Sequence, residues 1–355
     1  MRILRMEVLP RTMALHKPYT IAYETVSSVT NVFVRIVTDT RHVGLGEAAP
    51  TPSVTGESPE ACLAGLEAVA HAIVGEDALA RMRVLGALDE VLGELPAARA
   101  AIDGALWDLL GKACGQPVHR LLGGFRQEIR TSITLGIDDP AAMVAEARDA
   151  YARGFRALKL KGGLDPARDA EVVRRVREAL GAGVRLRFDA NQGYDEAGAA
   201  CFLAGVEGAD LEVLEQPTPR GRWDLLGGVT RRAAMPVMAD ESVLDLHDAL
   251  VLARRELVDT LNIKLQKVGG LEAAIAVNAV GLAAGYEVMV GCMDESSLAV
   301  AAGLHFALAR PNVAYADLDG HMDLVEDPAA GAVRLEAGVL RPAPGPGFGV
   351  VDLPT

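Results

Sequence analysis

Lys161, Asp189, Glu215, Asp240 and Lys264 follow one another at intervals of 28, 26, 25 and 24 residues, each closing a short apolar run. The runs read A-L-K-L-K, R-F-D-A-N, V-L-E-Q-P, V-M-A-D-E and L-N-I-K-L. Three carboxylates in the middle and a lysine on each side form a pattern with a chemical use. Carboxylate oxygens from successive strands suit Mg²⁺, which keeps positions open for water or substrate. Such a cation can hold a substrate carboxylate and stabilise the ene-diolate formed when an α-proton leaves. Lysines arriving from opposite sides would each face one side of that carbon. Lys159, two residues before Lys161, points the same way on a strand, so the two charges disfavour each other's protonation and favour a usable base.

A lone carboxylate after a strand is commonly a helix N-cap. Its recurrence once per unit demands elements that deliver it to a common place. From residue 129 onward, apolar runs at 131–137, 157–160, 184–188, 211–214, 236–239, 261–265, 288–290 and 313–316 alternate with Ala-, Glu- and Arg-rich helical stretches such as 141–152 and 169–180. Alternating βα units require a parallel sheet, and eight strands at this spacing fit a closed barrel whose active site lies at the C-terminal strand ends. Before it, strand-like residues 3–9, 30–36 and 43–48, with a polar, turn-rich 16–28 between the first two, precede helical spacing over 62–73, 85–92 and 97–113. The expected fold is α/β: a modified TIM barrel, (β/α)7β, over residues 125–320, with an α+β capping domain over 1–124. Residues 321–355, strand-like at 332–335 and then rich in Pro and Gly, are expected to return to the cap.

The eighth run ends D-L-D-G, with Asp317 and Asp319. Asp and Gly are turn residues, so a plain turn explains the tetrapeptide in isolation. On strand eight of a barrel, two carboxylates across the mouth from a metal suit a cationic group at a fixed distance from a carboxylate. A dipeptide has that shape.

Over nearly its whole length the chain resembles the enolase superfamily, muconate-lactonising subgroup. The resemblance is carried by G-L-G-E-A at 44–48, by A-I-D-G-A-L-W-D-L-L-G-K-A-C-G-Q-P-V-H-R-L-L-G-G at 101–124, and by K-x-K, D-x-N, E-Q-P, A-D-E and N-I-K-L. The D-x-D of Asp317 and Asp319, with G-C-M-D-E-S at 291–296, is similar to the dipeptide epimerases. The resemblance implies Asp189, Glu215 and Asp240 as ligands of one Mg²⁺ per subunit, and Lys161 and Lys264 as opposed acid/base catalysts. It implies that Asp317 and Asp319 hold the substrate ammonium. Lys159, Thr134, Asp294, Ser296 and Glu24 complete the expected substrate-contacting set.

Loops 18–26 and 49–56 of the cap are expected to close over the mouth. An epimerase for Ala-Glu dipeptides should carry a basic residue in the first loop; this chain has Glu24. Neutral or cationic dipeptides are therefore expected, with Glu24 and Asp294 facing the substrate; a Glu24 turned to solvent is the competing reading. N-acylamino acid racemase, o-succinylbenzoate synthase and muconate cycloisomerase share the metal and lysines, but their substrates lack a free ammonium. A Schiff-base aldolase needs one lysine and no carboxylate triad, and a non-catalytic Mg²⁺-binding barrel needs neither lysine.

Composition narrows the partners. Among 355 residues, 35 Lys+Arg against 48 Asp+Glu give a net charge of −13. Such a chain repels nucleic-acid phosphates and anionic membranes, and 15 aromatic residues are too few for a base-stacking platform. No uncharged apolar run reaches 18 residues, and the N-terminus MRILRMEVLP has no apolar leader. Cys62, Cys114, Cys201 and Cys292 are dispersed, which fits a reduced, cytoplasmic protein. Cys292 reads as a small buried hydrophobe, and no H-x-x-x-H or GxxxxGK[ST] occurs. A small-molecule substrate is the expected partner, and a homo-oligomer is left open.

Overall fold

The structure is a computed structural model that describes residues 1–22 and 25–353. The cap opens with an antiparallel three-stranded sheet, β1 (Ile3–Thr20), β2 (Thr25–Thr38) and β3 (Val43–Ala48). Helices α1 (Pro59–Val69), α2 (Arg81–Gly86), α3 (Asp89–Leu92), α4 (Pro96–Cys114) and α5 (Val118–Leu121) follow. The apolar faces of β1 to β3 and α1 to α4 share one core that includes Val32, Val34, Ile36, Leu66, Ile102 and Leu106. At Gly46, a Cβ would lie 1.8 Å from the Ala101 carbonyl, so the glycine lets β3 sit directly on α4.

Two expectations for the cap change. Residues 16–20 and 25–28 belong to strands: β1 runs on to Thr20 and β2 begins at Thr25, with a register shift between Ala14 and Tyr19. Cross-strand hydroxyl pairs, Thr12 with Thr30 at 2.8 Å and Thr20 with Thr25 at 2.9 Å, hold a ribbon too polar to read as a strand. The helical stretch 85–92 divides into α2 and α3 around Ala87 and Leu88.

After β4 (Ile129–Arg130), the barrel proceeds through β5 (Ile133–Leu135), α6 (Pro140–Ala152), β6 (Ala157–Lys161), α7 (Pro166–Leu180), β7 (Arg185–Asp189), α8 (Glu196–Gly205) and β8 (Leu211–Glu215). It continues with α9 (Trp223–Thr230), β9 (Val237–Ala239), α10 (Leu246–Arg254), β10 (Thr260–Lys264), α11 (Leu265–Val268), α12 (Leu271–Ala283), β11 (Glu287–Gly291), α13 (Ser297–Ala309) and β12 (Val313–Asp317). The eight strands β5 to β12 form one sheet in sequence order, parallel throughout. A parallel bridge between Thr131 and Ala316, with Ser132 N–H donating to the Ala316 carbonyl at 3.0 Å, brings the two edges together. This is the (β/α)7β barrel with its cap.

Asp139, Asp165, Asp195 and Asp245 accept bonds from backbone amides in the first turns of α6, α7, α8 and α10. Asp189, Glu215 and Asp317 instead end their strands, and Asp240 follows β9 directly. Position relative to the strand end thus separates helix caps from site carboxylates.

The C-terminal segment forms β13 (Val333–Glu336) and β14 (Val339–Pro342), which pair with β4 rather than with the cap sheet. It reaches the cap beyond them. Phe348 N–H donates to Asp108 on α4 at 2.9 Å, and Arg35 on β2 pairs with Asp352.

Candidate active site

A cavity of about 560 Å³ opens at the C-terminal strand ends beneath the cap hairpin. Lys159, Lys161, Asp240, Lys264, Asp317, Asp319, Thr134 and Asp294 line it, with Tyr19, Ile21 and Val26 from the cap. Ser296 is not among the lining residues. Its hydroxyl caps α13 and donates to Glu47, so the structure places it behind the wall. Glu24 lies outside the described residues.

Asp189, Glu215 and Asp240 are all buried, and one oxygen from each lies within 4.8 Å of the others. Three hard anionic donors this close, open to the cavity on the Asp240 side, fit a divalent cation of the Mg²⁺ kind. The buried Glu241 Oε2 and Asn191 Oδ1 beside them have no hydrogen-bond partner, as expected where an ion or its water is to be received. The strand ends that present the ligands turn through left-handed backbone at Asn191 (φ 40°) and Gln216 (φ 32°). The turns aim side chains at the triad. Asn191 N–H donates to Asp189 at 2.9 Å, and the Gln216 side-chain oxygen accepts from Asp240 and Ser242 N–H.

Four lysines surround the carboxylates. Lys159 Nζ stands 3.0 Å from Asp189, 2.8 Å from Glu215 and 2.9 Å from Asp317. Lys161 bonds Asp189 at 2.8 Å, and Lys264 bonds Asp240 at 2.8 Å. Lys267, also fully buried, bonds the other oxygen of Asp240. Like-charge repulsion between Lys159 and Lys161 on β6 is expected to disfavour the protonation of each. For Lys159 the surroundings decide otherwise: burial opposes its charge, but Asp189, Asp317 and Glu215 hold its pKa well above the ordinary value. Burial opposes the charge of Lys264 too, and Asp240 likewise raises it.

The carboxylates divide in the same way. Burial would raise Asp189, but Lys159 and Lys161 keep it low; burial would raise Asp240, but Lys264 and Lys267 keep it low. Glu215 is pushed up to about 7 by burial and by Asp189. Its second oxygen accepts from Asn262 at 2.8 Å. Across the mouth, Asp317 accepts from Ser132 at 2.6 Å and from Lys159; burial would raise it, and Lys159 lowers it. Asp319 accepts from Thr134 N–H at 2.6 Å and is pushed up to about 7 by burial and by Asp317.

Sequence reasoning missed Lys267, and it quoted Asn262, Gln216 and Glu241 within their motifs without giving them a role in this site. The only signal for Lys267 was its place three residues after Lys264. Gly162-Gly163 has a packing role: Gly163 (φ +106°) lies so close to β7 that a Cβ would meet the Ala190 carbonyl at 2.1 Å.

Residues 3–123 match the mandelate racemase / muconate lactonizing enzyme N-terminal domain, and residues 142–351 match the enolase C-terminal domain-like family. The L-Lys-D/L-Arg epimerase of Methylococcus capsulatus is 40% identical over 353 residues, covering 99% of each chain. A dipeptide epimerase from Enterococcus faecalis, solved with Mg and L-Leu-L-Tyr, superposes with a TM-score of 0.97 at 36% identity over 99% of this chain and 100% of that one. A Methylococcus capsulatus dipeptide epimerase, solved with Mg and L-Arg-D-Lys, gives a TM-score of 0.94 at 39% identity over 99% and 100%. Fold, strand-end carboxylates and sequence agree: the chain belongs to the enolase superfamily, in the muconate-lactonising branch that includes the dipeptide epimerases.

Proposed function

We propose that the protein is a Mg²⁺-dependent dipeptide epimerase that inverts the α carbon next to the substrate carboxylate by proton transfer between Lys161 and Lys264. The observation that carries this reading is the placement of the two lysines. They rise from β6 and β10, each bonded to a different outer carboxylate of the triad, and both line one cavity. Asp189, Glu215 and Asp240 would hold the ion, in keeping with the Mg present in the two solved relatives. When bound, it supplies positive charge against the negative charge that builds on the substrate carboxylate as the α-proton leaves.

The chain's own residues do the rest. One lysine, in its neutral form, takes the α-proton from its face of the carbon; the other, as an ammonium, returns a proton from the opposite face. The roles exchange for the other stereoisomer. For Lys264 the neutral form requires a bound cation to draw off the Asp240 charge that now favours its ammonium. Lys159, held protonated and buried at the same end of the barrel, adds a fixed positive charge. Asp317 and Asp319 accept from the substrate ammonium, a group that N-acylated amino acids and cycloisomerase substrates lack. This favours a dipeptide.

Neutral or cationic side chains suit the outer wall. Beyond the catalytic cluster, the described lining residues include Asp138, Glu146, Asp294 and Asp323 against Lys17, which is itself paired with Glu146 at 2.9 Å. The four free cysteines fit a reducing cytoplasm, and no helix among the described residues is long and apolar enough to cross a membrane.

Deuterium exchange at the α carbon in D₂O, with a panel of L,L-dipeptides, tests the reading. The wild type should exchange neutral or cationic dipeptides fastest; fastest turnover on Ala-Glu overturns the side-chain preference. Lys161→Ala and Lys264→Ala should each abolish exchange from one stereoisomer and retain some from the other. Unchanged exchange in both variants overturns the two-base mechanism.

A further inference from the structure

Glu47, in the G-L-G-E-A motif of the cap, takes no part in the chemistry above. It ends far from solvent on β3 and does not line the cavity. Its carboxylate nevertheless collects four donors. Oε1 accepts from Asn31 Nδ2 at 2.9 Å and from Ser296 N–H at 2.8 Å; Oε2 accepts from the Ser296 hydroxyl and from Ala299 N–H at 3.1 Å. Three of the four belong to the first turn of α13 and its cap, where the helix dipole favours an anion. Asn31, buried on β2, donates a second bond to the Asp294 carbonyl at 2.9 Å.

Two cap side chains therefore grip both ends of residues 294–299. That segment follows β11 and starts with no regular hydrogen bonding of its own, so its place depends on such contacts. The Asp294 carboxylate lines the cavity and accepts from Tyr19 on the cap hairpin at 2.8 Å. Gln266, just after Lys264, bonds Ala49 N–H at 3.0 Å and the Glu47 carbonyl at 3.1 Å, which ties this part of β3 to the barrel.

We propose that Glu47 and Asn31 are positioning residues that latch the loop after β11 to the cap and so set where Asp294 stands on the substrate cavity wall. The inference deepens the reading above, and rests on it only for the identity of the substrate. A carboxylate is needed at position 47 because every partner is a donor. An amide there would turn its NH₂ toward Asn31 and Ser296 N–H or toward Ala299 N–H, leaving buried donors face to face.

Amide hydrogen exchange on the intact protein, paired with dipeptide kinetics, tests the latch. In Glu47→Gln, residues 292–299 should exchange about tenfold faster or more while the other barrel and cap segments keep their protection. KM for the best dipeptide should rise about tenfold with kcat within about threefold of wild type. Ser296→Ala, which removes one donor, should shift both in the same direction by less. Asn31→Ala, which frees the Asp294 carbonyl, reports on the same latch should Glu47→Gln not fold. Unchanged exchange in 292–299, or acceleration spread evenly over the chain, overturns the proposal. Failure of the wild type to exchange any dipeptide α-proton would overturn the substrate reading instead, and the hydrogen-exchange result decides the latch independently of it.

Discussion

Lys264 and Lys267 hold the two oxygens of a single carboxylate: Lys264 Nζ lies 2.8 Å from Asp240 Oδ2, and Lys267 Nζ lies 2.5 Å from Asp240 Oδ1. Lys267 also bonds the Asp240 carbonyl and, at 3.1 Å, the Asn262 carbonyl. The single turn of α11 that follows β10 brings the second lysine back beneath the strand ends. Asp240 is thereby fixed in rotamer, with both oxygens engaged.

Lys267→Met removes that fixation and keeps most of the side-chain volume. Affinity for Mg²⁺, measured by titration calorimetry, should fall about 10- to 100-fold, the usual effect of losing a partner that orients a metal ligand. An unchanged affinity would show that Asp240 is held by Lys264 alone.

Mg²⁺ should also stabilise the fold, because three buried carboxylates lie within 4.8 Å of one another. At a concentration one hundred times its dissociation constant, the ion should add about 2.7 kcal/mol of unfolding free energy. Glu215→Gln should diminish the increase. Equal stabilisation by Mg²⁺ in the variant would place the ion elsewhere.

Asp319→Asn should lower kcat/KM for dipeptides about 100-fold, since an ammonium loses a charged partner in a buried site. Turnover of an N-acetylated amino acid, which offers no ammonium, serves as the comparison. Equal losses on both substrates would indicate damage to the Thr134 contact rather than to ammonium binding.

Acid should destabilise the contact between α5 and α13. His305 is fully buried, accepts from His119 N–H at 2.9 Å, and is pushed down to about 3 by burial and by His119. Its folded pKa lies below the unfolded value of about 6.5, so the unfolded chain binds a proton that the folded chain refuses. The stability from neutral His305 is present above about pH 6.5 and declines as pH falls toward 3, by roughly 1.4 kcal/mol per pH unit at most. Urea unfolding should show a shallower decline between pH 6.5 and 4 in His305→Gln than in wild type. Parallel curves would assign the acid sensitivity to other groups.

Much of this protein is determined by sequence alone. The intervals from Lys161 to Lys264 record one strand, one helix and two turns each, and local periodicity suffices to put the triad and two lysines at strand ends. The far ends of β1 and β2 were illegible because backbone pairing, with hydroxyl pairs such as Thr20 and Thr25 across it, joins residues that leave no apolar alternation. The charge state of Lys159 was misjudged from its neighbour Lys161, whereas Asp317, 158 residues away, is one of three carboxylates that decide it. Ser296 is expected from the family resemblance to contact substrate; Glu47, 249 residues earlier, claims it for the cap. Such partners depend on how the barrel closes and the cap docks. Strand alternation tells which way a side chain points, but only the closed tertiary structure decides what it meets there.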